Sequence, residues 1–174
     1  MRWLPFQLNP DLPEAGIPRE EYVARKFGGR GKGMYDRVTM VGRQVGIPFA
    51  YDKMTIQPNT LNAHRLMLFA ERAGRQDELA EQLFLAHFTE GAVIAEREAL
   101  ADIAARAGLD RKAAAEFLAS EADRDTVAQA DVEARSAGIG GVPFFIFNRK
   151  IGVSGAQDPE TLVDAMEQAL QKQG

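Results

Sequence analysis

The chain has 174 residues, 45% of them hydrophobic and 26% charged, with a formal net charge of −4. A chain of this size buries roughly 70% of its unfolded surface, so it fits one globular domain, or one domain with a large insertion, and needs no covalent staples. With no Cys it has no disulfide, no thiolate zinc site and no cysteine nucleophile, and two His leave little room for a histidine metal site.

No apolar run approaches the ~18 residues of a spanning helix, which argues against a membrane protein. Residues 1–50 hold eight Lys/Arg against five Asp/Glu, while the remainder holds thirteen against twenty. The basic start could attract anions. The pI of about 5.3 and the lack of interleaved aromatics argue against nucleic acid. The opening MRWLPFQLNP lacks the apolar stretch of a signal peptide and predicts a cytoplasmic protein.

Arg2, Trp3, Leu4 and Phe6 predict a short extended element, with Pro5 marking an edge or strand end. Pro18 then leads into a helix over Arg19–Phe27, closed by Gly28. Met34, Val38, Val41 and Val45 mark one face of a second helix, ending at Gly46. Residues 47–58 read as a proline-flanked connection. Thr60 is placed to cap a buried helix running to Ala73, with Gly74 as its stop. Leu79, Leu83, Phe84 and Phe88 define a helix ended by Gly91. Leu100, Ile103, Ala104 and Ala107 define one ended by Gly108. Asp110 caps a short helix to Ala119. Ser120 and Asp123 resemble a capping box for a helix to Ala137, stopped by Gly138.

The period then changes. Val142–Phe147 and Ile151–Val153 predict a β-hairpin around a two-residue turn. Asp158 and Pro159 start a last helix with Leu162, Met166 and Leu170 on one face.

Few residues offer chemistry by themselves. The Gly28–Gly33 stretch lacks the Ser/Thr of a phosphate loop and follows a helix, so it reads as an inter-helix connection. His64 and His87 lack zinc spacing. Gly152-Val153-Ser154-Gly155 is one residue short of a nucleophile elbow. Gly141-Val142-Pro143-Phe144 stands out, because a proline heading an apolar strand cannot donate to the ladder and is open to the cis form. It is either an ordinary strand start or a loop whose Val142 backbone faces a ligand.

Four stretches in order carry a resemblance. They are Pro5-Phe6-Gln7-Leu8-Asn9-Pro10, Pro58-Asn59-Thr60-Leu61 through Ala63-His64-Arg65-Leu66, Gly141-Val142-Pro143-Phe144-Phe145, and Ser154-Gly155-Ala156-Gln157. Together they resemble the DsbA-like thioredoxin proteins, nearest to the FrnE-type oxidoreductases. The hydroxychromene-carboxylate isomerases and kappa-class glutathione transferases are more distant members of the same architecture.

The resemblance implies an α/β, predominantly helical fold. A thioredoxin-like core (residues 1–13 and 121–174), incomplete at its N-terminus, would be interrupted by an all-helical insertion (residues 14–120). It implies a cis-proline loop at Val142-Pro143 and a substrate-binding set of Val142, Pro143, Asn59 and Gln157. The partners it implies are protein thiols and disulfides, with no cofactor and no metal. Under the isomerase or transferase alternative glutathione enters, near Ala156-Gln157-Asp158; relatives of that kind usually carry Arg after the Asp, where Pro159 stands here.

Members of the family begin with a strand and a Cys-x-x-Cys helix, about forty residues that have no counterpart in this sequence. The thiolate is the nucleophile of disulfide exchange. The chain as given is therefore expected to be redox-inactive. In the thioredoxin arrangement the absent strand lies between the Arg2–Leu8 and Phe144–Phe147 strands. Two unpaired rims would then favour a homo-oligomer.

Overall fold

The computed structural model describes residues 1–28 and 31–171. The chain is mostly helical, with two separate two-stranded sheets. It divides into two compact units, residues 1–128 and 129–174.

In the first unit, β1 (Ile17–Pro18) pairs antiparallel with β2 (Ile56–Gln57), setting Ile17 opposite Gln57 and Pro18 opposite Ile56. This small sheet has no alternating pattern to announce it. Helix α1 (Arg19–Phe27) follows at once, and the Arg19 N–H donates to Thr55 O at 2.9 Å. Helix α2 (Gly31–Gln44) begins inside the Gly28–Gly33 stretch that reads in sequence as a connection, taking Gly31–Gly33 into its first turn; Gly29 and Arg30 lie outside the described residues.

The apolar face read for α2 is not the one that packs. Val38, Val41 and Val45 are exposed, whereas Tyr35, Thr39 and Gly42 turn inward. Gly42 permits this, since a Cβ there would come within 2.5 Å of the Phe49 ring.

Four helices build the core: α3 (Leu61–Arg72), α4 (Gln76–Phe84), α5 (Arg97–Arg106) and α6 (Arg111–Ala119). Leu66, Leu79, Leu100 and Leu118 are wholly buried among alanines that let the helices approach closely. Asp110 caps α6 as predicted, its Oδ1 accepting the Ala113 N–H at 2.6 Å. Thr60 does not cap α3 through its side chain; Asn59 Oδ1 accepts the Leu61 N–H instead. The helix read through Phe88 ends as α-helix at Phe84 and continues as one π-helical turn, Leu85–Glu90. It stops at Gly91, whose φ is +79° and whose missing Cβ would lie 2.6 Å from Lys53 Cβ.

Two expectations are corrected here. The segment Arg2–Leu8 forms no strand. The Trp3 N–H and C=O pair instead with the Gln76 side-chain amide, at 2.9 and 3.1 Å, and the indole donates to Asp77 Oδ1. Pro5 removes a further donor. Residues 1–13 belong to the first compact unit, and Arg2–Leu8 offers no strand edge there.

The second correction is the start of α7 (Arg124–Ser136). Ser120 closes α6 rather than opening α7: its hydroxyl donates to Phe117 O and accepts the Ala122 N–H. Asp123, at φ +61°, separates the two helices.

The second unit holds the end of α7, the hairpin β3 (Phe144–Phe147) and β4 (Ile151–Ser154), and α8 (Pro159–Gln171). In register, Phe144 faces Ser154 and Phe147 faces Ile151. Asn148 and Arg149 both have positive φ, and the Lys150 N–H closes the turn on Phe147 O, the backbone twist that hairpins favour. Helix α8 covers the hairpin, burying Ala165 and Ala169, and Asn148 Nδ2 donates to Ala169 O. Among the described residues no helix is long and apolar enough to cross a membrane.

Candidate functional site

Three of the four residues expected to bind substrate lie together in the second unit. Pro143 enters β3, and its carbonyl accepts the Gly155 N–H at 2.9 Å just beyond the end of β4. Gln157 follows two residues later and donates Nε2 to Ser154 O at 2.8 Å. The hairpin ends thereby hold the Gly141–Pro143 loop beside the Ser154–Gln157 turn.

The Val142–Pro143 peptide bond is cis. Val142 is half exposed, and among the described residues its backbone N–H and C=O have no hydrogen-bond partner. A free donor and acceptor on one residue at a strand entrance is what an extended peptide needs in order to pair with a sheet.

Asn59 lies in the first unit and has both ends of its amide occupied. Nδ2 donates to Leu12 O at 2.7 Å, and Oδ1 accepts the Leu61 N–H at 2.8 Å. It fastens residues 9–14 to the start of α3. Nearby, Glu14 accepts from Asn62 Nδ2 and from Arg97, and these hydrogen bonds hold its carboxyl down at about 2.

The residue that sequence reasoning passed over is Arg65. It is wholly buried on α3, and its guanidinium reaches the carbonyls that end α6. Its signal was present, since a cation inside an otherwise apolar helix demands partners.

His87 is buried in the π-helical turn with Nδ1 3.3 Å from Ala92 O, and burial lowers its pKa. No cluster of three or more His, Cys, Asp or Glu able to hold a metal occurs among the described residues. For glutathione, the Gln157 amide is turned back onto Ser154, and Pro159 offers no cation beside Asp158.

Residues 1–167 match the DSBA-like thioredoxin domain. The crystal structure of a probable DsbA oxidoreductase from Streptomyces coelicolor is similar to this chain, with a TM-score of 0.87 and 28% sequence identity. The match covers 97% of this chain and 74% of that one. None of the curated proteins matches the chain.

Proposed function

Because the chain belongs to the DSBA-like thioredoxin domain family, we propose that it carries the substrate-facing part of a FrnE-type thiol-disulfide oxidoreductase. The observation that supports this is the exposed Val142, with backbone N–H and C=O both free at the entrance to β3. An extended segment of a client protein pairs there, held against Pro143 and the Ser154–Gln157 turn. Protein thiols and disulfides are the partners of this reading, and a cytoplasmic setting belongs to the same proposal.

Disulfide exchange needs a thiolate attacking a sulfur. The 174-residue chain holds no Cys and so supplies a surface rather than the nucleophile.

Titration with an extended, cysteine-blocked peptide, followed by backbone NMR, tests the site. Shifts should centre on the Val142 and Phe144 amides. Shifts confined to α3–α6 would overturn it. Reduction of insulin by dithiothreitol in the presence of the chain should match the protein-free blank, and a rate well above that blank contradicts the reading.

A further inference from the structure

Two helices leave an apolar stripe uncovered. Val38 and Val41 of α2, with Val45 just past its end, are 38–67% exposed. Val163, Met166 and Leu170 of α8 are 46–60% exposed. Both sets recur at spacings of three and four, which puts each on one helical face. The inward faces are already committed, to Tyr35, Thr39 and Gly42 on α2 and to Ala165 and Ala169 on α8. Exposed apolar side chains are ordinary when scattered, but a stripe at this spacing is the seam along which helices pair.

The two helices differ in charge. Helix α2 holds Lys32, Arg37 and Arg43 against Asp36 alone. Helix α8 holds Glu160, Asp164 and Glu167 and no basic residue. Arg37, Arg43 and the three α8 carboxylates are exposed, and among the described residues they make no ion pair or hydrogen bond. Many other helical charges are paired within the chain, as in Arg106–Glu90, Arg111–Glu98 and Arg135–Asp131.

Two copies of the chain have three ways to bring these faces together. Pairing α2 with α2 sets cations against cations, and pairing α8 with α8 sets carboxylates against carboxylates. Only α2 on α8 joins opposite charges around matched apolar stripes. We propose that α2 of one copy docks on α8 of a second copy, with Val38, Val41 and Val45 against Val163, Met166 and Leu170 and with Arg37 toward the α8 carboxylates. Each copy carries both faces, so a second copy supplies the complement of each. This association uses no strand edge and does not rest on client pairing at Val142.

One helix pair covers less than the ~1,200 Å² of a stable interface, so the expected Kd is weak, about 10–100 µM. Sedimentation should show a 19.1 kDa species at about 1 µM and mostly larger species by about 500 µM, with the association weakened at about 0.5 M salt. The variants R37E/R43E and D164K/E167K each set like charges across the contact. Alone, each should associate at least about tenfold more weakly than the parent, with an unchanged melting temperature. Mixed together, they again offer opposite charges, α2 of one to α8 of the other, and should associate about as tightly as the parent. A parent chain that stays monomeric at about 500 µM would overturn the proposal. So would association indifferent to salt, variants that self-associate like the parent, or a mixture no stronger than either variant alone.

Discussion

Arg65 illustrates how a wholly buried charge is accommodated without a carboxylate. Its five N–H groups meet five acceptors: Ala122 O, Asn62 Oδ1, Leu118 O, Phe117 O and Ser120 O, at 2.6–3.4 Å. The last turn of a helix has carbonyls with no intrahelical partner, and a cation there also suits the helix dipole. Burial lowers the Arg65 pKa, yet an arginine stays charged. Arg65→Met takes the donor from Leu118 O, Ser120 O and Ala122 O, while Phe117 O keeps Ser120, and should cost about 3–5 kcal/mol in urea unfolding. Arg65→Lys keeps the charge with fewer donors and should lose less. A loss below about 1 kcal/mol for R65M would show that water replaces the guanidinium.

Glu14 gives a pH signature at the same scale. Its hydrogen bonds from Arg97 and Asn62 lower its pKa from 4.5 to about 2. A depressed carboxyl contributes stability above its unfolded pKa and loses it as pH falls through the folded value. Stability should therefore decline between about pH 4.5 and pH 2, and Glu14→Gln should flatten that part of the profile. The carboxylate is partly exposed, so solvent screening holds the contribution to roughly 1 kcal/mol. An unchanged acid profile in E14Q would assign the decline to other groups.

Among the elements, Gly91 is the position where backbone conformation and packing coincide. Its φ of +79° ends the π-helical turn, and Lys53 O and Cβ occupy the space of a side chain. Gly138 ends α7 at φ +83° with nothing within 4 Å. Gly138→Ala should cost about 1–2 kcal/mol, the left-handed penalty alone. Gly91→Ala should cost clearly more, because Lys53 must move as well. Equal melting temperatures for the two variants would show that Lys53 yields freely.

The helices that carry strong stops and caps were readable from sequence: α1, α3 and α6 begin and end close to their signals, α5 ends close to its Gly108 stop, and α8 starts at Pro159. Where two patterns competed, packing decided. The α2 valines form a regular stripe, but the glycine and tyrosine face packs against Phe49. Ser120 carries a plausible start signal, but the end of α6 takes its hydroxyl. The β1–β2 pair is two residues long and has no period to detect. Arg2–Leu8 has strand composition, yet the Gln76 amide takes the Trp3 backbone. At the candidate site the Val142–Pro143 loop was legible through its proline and apolar strand. The role of Asn59 was not, because its partner Leu12 O is 47 positions away.

At the scale of the molecule, apolar burial is uneven. The core around Leu66, Leu79, Leu100 and Leu118 belongs entirely to the first unit. In the described part of residues 129–174 only Ala165, Ala169 and Asp131 are buried, while Val132, Ile146, Val163, Met166 and Leu170 are exposed. A segment this short rarely supplies enough core to be stable by itself. Amide hydrogen exchange should find α3–α6 protected to near the global unfolding free energy, with β3, β4 and α8 opening earlier. Uniform protection across both units would refute that order.

The β1–β2 bridge has a consequence for how the chain tolerates change in length. It sets residues 17–18 beside residues 56–57, so the backbone departs on an excursion and returns to its point of departure. Insertions at the tip near Gly46, where an added side chain would meet nothing within 4 Å, lengthen the detour without shifting either anchor. Doubling a flexible loop costs only ~0.6 kcal/mol in closure entropy. The α1–α2 excursion is therefore the place where this architecture can be spliced, tagged or grafted while α3 keeps its origin.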